Sequence, residues 1–189
     1  MDLRRHDMGE TVEYVITFLE MTSPPAFARP HLFGKSPSAL IHATEPPDWY
    51  FLTLYDAVGR YHEWVDWHSA PDGELAAYLN DPAVQLYTFL RNGWPHGFFV
   101  LDTRRDTVVG LDYFGLVPEA VGKGLGTWFL ETAIYAAWDV PGCETVALNT
   151  CTLDHPRALA HYQKHGFHPV AQETRSRVLT RDWDPANFR

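Results

Sequence analysis

Val117-Pro118-Glu119-Ala120-Val121-Gly122-Lys123-Gly124-Leu125-Gly126 decides how the chain folds, because it closes one kind of element and opens another. Before it, residues 107–117 read as a strand. After it, residues 127–138 read as a helix, with Trp128, Leu130, Ile134 and Trp138 among its apolar positions. The glycines between them let the backbone turn its N–H groups outward. The unpaired donors and dipole of the helix N-terminus then make an anion site suited to a pyrophosphate. The same spacing also serves a plain strand-to-helix turn. The Lys-Ser/Thr ending of a nucleoside-triphosphate loop and the strict G-x-G-x-x-G pattern are both missing, which disfavours a kinase or a nicotinamide enzyme.

Upstream lie three strand signals in a row. Residues 84–91 are joined through Asn92-Gly93, a tight-turn dipeptide, to 97–102, and a charged turn at 104–106 leads into 107–117. They predict an antiparallel meander. Downstream, 145–151 is an almost continuous apolar strand of the kind buried on both faces. Residues 156–165 read as a helix opened by Asp154 or His155 with Pro156 and closed by Gly166, and 170–180 supply a closing strand. Strand, helix, strand, helix after a meander implies a mixed sheet whose parallel pair is bridged by the 127–138 helix. A ligand site is expected where the strand direction changes, at the carboxyl end of 107–117.

Nearer the N-terminus, Val12, Tyr14, Ile16 and Phe18 alternate through a strand at 11–21. Residues 22–47 carry Pro24, Pro25, Pro30, Pro37, Pro46 and Pro47, which predicts a long loop with a short strand at 39–43; such loops tend to be lids or binding loops. A helix from Asp48 puts Phe51, Leu52, Tyr55 and Val58 on one face and ends near Gly59, and another runs from Asp72 as N-cap to Leu79.

The 189 residues, 46% of them hydrophobic, suit a single domain over 1–189, with 11–83 leading into a core at 84–189. A net charge of -9 disfavours nucleic acid and favours a cationic partner. The charged N-terminus and the lack of a long apolar run predict no signal peptide and no membrane span, hence the cytosol. Cys143 and Cys151 lack the spacing of a disulfide framework or zinc site and read as small buried hydrophobes. His161 and His165 could share a metal, but no H-E-x-x-H glutamate or third ligand accompanies them, so surface histidines and no metal are expected.

The glycine segment is similar to the acetyl-CoA signature of the GCN5-related N-acetyltransferases (GNAT), R/Q-x-x-G-x-G/A after a hydrophobic residue and Pro. Gly124-Leu125-Gly126 fill the glycine positions, and Val121 stands where Arg or Gln is usual. Ala158, Tyr162, Gly166 and Phe167 resemble the family's N-x-x-A-x-x-x-Y-x-x-x-G-F, with His155 in place of Asn. The resemblance covers 84–170. It implies an α/β (α+β) fold with a mixed, mostly antiparallel central sheet, flanking helices and splayed strands that form an acetyl-CoA cleft. It also implies an N-acetyltransferase that moves an acetyl group from acetyl-CoA to a primary amine by direct attack in a ternary complex. The implied coenzyme contacts are Leu116, Val117, Gly122, Lys123, Gly124, Leu125, Gly126, Thr127, Asn149, His155, Ala158 and Tyr162.

Tyr162 is the residue the resemblance assigns to protonating the departing thiolate; a half-buried core tyrosine would read the same. For the base, Asp112 is the strand carboxylate, on one face with Gly110 and Phe114, and Glu119 is the alternative. Glu63, Trp64, Asp66 and Trp67 would hold a small-molecule or peptide amine by carboxylate and aromatic contacts, between the 22–47 loop and the 63–68 cluster. They would equally serve as a cap packed on the sheet. The runner-up is a non-catalytic acyl-CoA-binding module, which keeps the glycine turn and loses the acid and base. Homodimerisation is left open.

Overall fold

The computed structural model describes residues 4–31 and 36–188. Among them, seven strands and four α-helices follow the chain as β1 (Thr11–Met21), β2 (Ser38–Ala43), α1 (Asp48–Val58), α2 (Glu74–Leu79), β3 (Val84–Arg91), β4 (Trp94–Arg105), β5 (Val108–Leu116), α3 (Leu125–Trp138), β6 (Thr145–Cys151), α4 (Ala158–Lys164) and β7 (His168–Val178). All the strands join one sheet in the order β2-β3-β4-β5-β6-β1-β7. Only the β5–β6 pair is parallel. The expected fold class, a mixed and mostly antiparallel sheet with flanking helices, is what the chain adopts.

The meander forms as its turn chemistry dictates. Asn92 and Gly93 both take positive φ, 52° and 85°, the two-residue turn whose twist matches a hairpin. The helices then cover opposite faces of the sheet. Phe98 meets Phe51 of α1, whereas its neighbour Phe99 meets Phe129 of α3, because successive strand residues point to opposite sides. Phe51, Phe98, Phe99 and Phe129 are all fully buried, and burying a side chain of this size contributes about 1.5–3 kcal/mol. α3 buries Leu125, Phe129 and Ala133 along one i, i+4 row and Leu130, Ile134 and Ala137 beside it, so it is apolar over most of its circumference.

Several details differ from the sequence reading. α2 is capped by Gly73 at φ 81° with no side-chain hydrogen bond, so Asp72 is not its N-cap. α4 starts two residues later than expected, since His155, Pro156 and Arg157 are spent on the turn from β6. β6 buries Val146, Leu148 and Thr150 and leaves Asn149 exposed; it is buried on one face, because its other face looks into a cleft. His165 is 7% exposed, its Nδ1 2.7 Å from the His161 carbonyl, and is not a surface histidine.

β1 was the element with no predicted place. It lies outside the meander, between β6 and β7 and antiparallel to both. Val15 shows how: its N–H donates to Thr152 Oγ1 and its carbonyl accepts from the Thr152 N–H. Among the described residues, no helix is long and apolar enough to cross a membrane.

Candidate active-site cleft

β5 and β6 pair only at Val108–Thr145, Val109–Val146 and Gly110–Ala147. Past those three pairs both strands run on, β5 to Leu116 and β6 to Cys151, and they splay around a cleft of about 730 Å³. Splaying leaves the facing edges without a ladder, so their main-chain N–H and C=O groups need partners from outside the sheet.

The coenzyme-side wall is built by the glycine turn, α3 and α4. Gly122 and Gly124 take φ of 77° and 72°, a region that costs any side chain with a Cβ. A Cβ at Gly122, Gly124 or Gly126 would meet nothing within 4 Å, so the space over the turn is open. Gly124 is the N-cap of the 14-residue α3, with no side-chain cap and no acidic residue in the first turn. The helix's leading N–H groups are therefore unpaid by the protein and turn toward the cleft, which Gly122, Gly124, Gly126 and Thr127 line. Leu116, Asn149, His155, Ala158 and Tyr162 line it too, together with the unpredicted Arg157 and His161. Three expected contacts do not. Val117 and Leu125 are buried anchors, the Val117 N–H donating to the His96 carbonyl at 2.9 Å, and exposed Lys123 places Nζ 6.0 Å from the Trp94 ring centroid.

Tyr162 packs its ring against Phe114 and Phe167, at 6.3 and 6.0 Å between centroids. Its hydroxyl has no hydrogen-bond partner among the described residues. Burial, helped by the charge of Asp154, holds the phenol well above its ordinary pKa. It therefore keeps its proton at neutral pH and spends it on no protein acceptor. Asp154 is fixed by Thr150 Oγ1 at 2.8 Å and the Cys151 N–H at 2.9 Å, which sets the turn that aims α4. Burial lowers the pKa of His155 and of His161, favouring their neutral forms, and it pushes the Cys151 thiol up to about 12.

The opposite wall is aromatic. Tyr55, Trp64 and Tyr113 meet in a triangle with centroid separations of 5.5, 5.6 and 5.7 Å. Trp67 Nε1 donates to the Tyr113 hydroxyl at 2.6 Å from behind the wall, and burial pushes Tyr113 up to about 12. Asp112 sits at a β-bulge: Leu101 pairs with Leu111 and Val100 with Tyr113, leaving Asp112 as the extra residue. The bulge breaks the expected alternation. Gly110 and Asp112 keep one face, since a Cβ at Gly110 would lie 2.7 Å from Asp112 Oδ1, but Phe114 turns to the α3 side against Phe129. The Tyr78 hydroxyl donates to Asp112 Oδ2 at 2.8 Å. Asp112 is reached by solvent through the mouth of the cleft, yet it is ringed by protein. Desolvation, the largest influence, raises its pKa against the opposing hydrogen bond from Tyr78.

The remaining acidic groups are more committed. Glu63 lines the cleft but is 5% exposed. Its carboxylate accepts from the Thr180 N–H at 3.2 Å and the Thr180 hydroxyl at 3.1 Å, with Arg177 Nε at 3.7 Å. Asp66 is exposed and pairs with Arg177 Nη2 at 2.9 Å. Glu119 lies outside the lining and pairs with Arg60 at 2.7 Å, which holds its carboxyl below the ordinary range; the alternative base is thus tied up elsewhere.

The proline-rich loop is not where the acceptor reading put it. Tyr135 of α3 donates to the Phe27 carbonyl at 2.5 Å, Trp128 to the His31 carbonyl at 2.7 Å, and Arg29 forms a two-pronged pair with Asp139. The described part of the loop therefore straps α3, across the sheet from Trp64, and none of it lines the cleft; residues 32–35 lie outside the described residues. Among the described residues, no third ligand joins His161 and His165.

Residues 48–167, more than half of the chain, match the Acetyltransferase (GNAT) family. The chain belongs to that family. No curated protein matches this GNAT chain by sequence. Among solved structures it is similar to a functionally unknown conserved protein from Staphylococcus epidermidis, at 17% identity and a TM-score of 0.61 over 88% of this chain. It is also similar to a GCN5-related N-acetyltransferase from Kribbella flavida, at 16%, 0.57 and 90%, and to a tandem GNAT protein from the clavulanic acid biosynthesis pathway, at 17%, 0.59 and 92%. At such identities the likeness is one of fold. The GNAT chain spans 62%, 58% and 55% of those three proteins' lengths. GNAT membership supports acetyltransferase activity in general, and acyl-CoA use with it.

Proposed function

We propose that this acetyltransferase uses acetyl-CoA to acetylate a primary amine, by direct attack with both substrates in the cleft. One observation carries the reading. The cleft through the splayed β5–β6 pair joins an uncapped helix N-terminus to an unengaged, protonated Tyr162 on one wall and, on the other, to Asp112, a solvent-reached carboxyl with a raised pKa.

The pyrophosphate of the donor suits the open glycine turn and the free N–H groups of α3, with Arg157 as the neighbouring cation. The acceptor approaches from the aromatic wall. Asp66 and Asp112 attract it as an ammonium, Trp64 offers a ring face, and desolvation favours loss of its proton. Asp112, whose pKa burial raises, takes that proton directly or through a water. The amine lone pair then attacks the thioester carbonyl carbon, and an N–H on the unpaired edge of β5 steadies the oxyanion. As the C–S bond breaks, Tyr162 gives its proton to the sulfur; the nitrogen's second proton leaves through water and restores the tyrosine, Asp112 releases the first to solvent, and the products are the amide and free coenzyme A. Glu63 and Trp67 contribute from behind, by holding Thr180 and Tyr113.

The deciding measurement is amine-dependent thiol release from acetyl-CoA across small and peptide-borne primary amines, for the parent chain and for Tyr162→Phe. Activity in the parent and its loss in the variant support the reading. Tight acetyl-CoA binding with no acceptor-dependent thiol release from any amine would replace it with an acyl-CoA-binding module.

A further inference from the structure

β7 is an unusual edge strand. It is 11 residues long, it ends the sheet, and ten of its residues are exposed, only Arg177 being partly covered. No described element pairs with its outer edge. Exposed edges of this length are templates for a further strand, and proteins that stay alone blunt them with Lys, with bulges along the edge or by making them short. Between Gln172 and Val178, β7 has no Lys, Pro or bulge, since Pro169 and its one register shift lie at the strand's start; the charges that commonly guard an edge are present as Glu173, Arg175 and Arg177, but they are of both signs.

The strand carries its own complement. Val15 turns its N–H and C=O toward Thr152 and hence away from β7. Its neighbours Tyr14 and Ile16 therefore bond to Arg175 and Glu173, and the main-chain groups of Gln172, Thr174 and Ser176 point out of the sheet. We infer that this edge pairs with the β7 edge of a second copy of the chain, antiparallel about a two-fold axis at Thr174, continuing the sheet across the dimer. In that register Thr174 exchanges both main-chain bonds with the partner's Thr174, and Gln172 faces the partner's Ser176. Glu173 stands opposite the partner's Arg175, and Arg175 opposite the partner's Glu173.

Within one chain Glu173 and Arg175 already form a two-pronged pair, at 2.9 and 2.8 Å; doubling it about the axis gives four alternating charges. The neighbouring symmetric registers fail. Centring on Glu173 sets two glutamates face to face, and centring on Arg175 sets two arginines face to face, each unfavourable. Self-complementarity of one patch is what a two-fold interface requires. Arg175 also lines the cleft, so the partner strand would extend the cleft's outer wall.

The test is sedimentation velocity over a concentration series. The parent chain should be a reversible dimer. Thr174→Pro removes only an N–H that points to solvent in the single chain, so folding should survive by circular dichroism while the dimer dissociation constant rises by more than about tenfold. Glu173→Arg should weaken the dimer as well, and adding Arg175→Glu should restore it, because the opposed signs return. A parent that stays monomeric at tens of micromolar overturns the inference. So does a dimer indifferent to Thr174→Pro, or a reversal that is not rescued. Because the readout is mass, failure here leaves the acetyl-transfer reading standing, and the reverse.

Discussion

The two walls of the cleft differ in how their polar groups are spent. On the aromatic wall nearly every one is taken: Trp67 holds Tyr113, Tyr78 holds Asp112, Thr180 holds Glu63 and Arg177 holds Asp66. On the coenzyme wall the α3 N-terminus is uncapped and the Tyr162 hydroxyl has no protein partner. A saturated wall is rigid and selects by shape and field. An unsaturated wall is incomplete until a ligand supplies the missing acceptors, and a buried donor left unmade costs about 1–3 kcal/mol. Substitutions on the coenzyme wall should therefore change binding or chemistry directly, and those on the aromatic wall should change stability, pH response or acceptor fit.

The strongest break in this contrast is Tyr162→Phe. It keeps the ring against Phe114 and Phe167 and removes only the proton, so kcat should fall by roughly 10²-fold or more with acetyl-CoA affinity within about twofold. Rapid-quench kinetics with a saturated acceptor check this, and an unchanged chemical step removes Tyr162 from the mechanism. Next is Gly124→Val. A β-branched residue at φ 72° must distort the turn at a cost of about 1–3 kcal/mol, so calorimetry should show acetyl-CoA binding weakened by about tenfold or more. Equal affinity would mean that the turn is not the phosphate site.

Asp112→Asn separates the walls by pH. As the base, Asp112 works deprotonated, so the parent's kcat/KM should rise with pH through its raised pKa, and the variant should be slower and lose that limb. Stability should move the other way. A carboxyl whose folded pKa lies above its unfolded value makes the fold lose stability as pH rises between the two. The variant should therefore be as stable as the parent or more so above that window, as thermal melts across pH would show. A slower, less stable variant with the limb intact would make Asp112 structural.

The smallest effects belong behind the aromatic wall. Trp67→Phe removes the donor to Tyr113 and should raise the acceptor KM by only a few-fold, sparing that of acetyl-CoA. Glu63→Gln should cost about 1–2 kcal/mol of stability through Thr180, with the acceptor KM nearly unchanged. If Glu63→Gln instead abolishes acceptor binding at full stability, the saturated-wall picture fails.

Local chemistry was legible in the residues because it depends on neighbours in sequence. Asn92-Gly93 demanded a tight turn, the 11–21 alternation demanded a strand, and glycines before an apolar helical period demanded the open turn at Gly122 and Gly124. The two GNAT-like motifs pointed to the same cleft, and Gly122, Gly126, Asn149, Ala158 and Tyr162 all line it. Tertiary structure alone decided the rest. The bulge at Asp112 turned Phe114 away, because a ladder's register depends on the partner strand. β1 went between β6 and β7, because a strand's neighbour is set by which apolar face needs covering, and alternation cannot name it. The 22–47 loop strapped α3, because Tyr135, Trp128 and Asp139 offered its backbone and Arg29 partners more than a hundred residues away for most of them. Whether Glu63 and Trp67 face a ligand or a neighbour was equally invisible, since both are polar groups whose partners, Thr180 and Tyr113, meet them only once the sheet has closed.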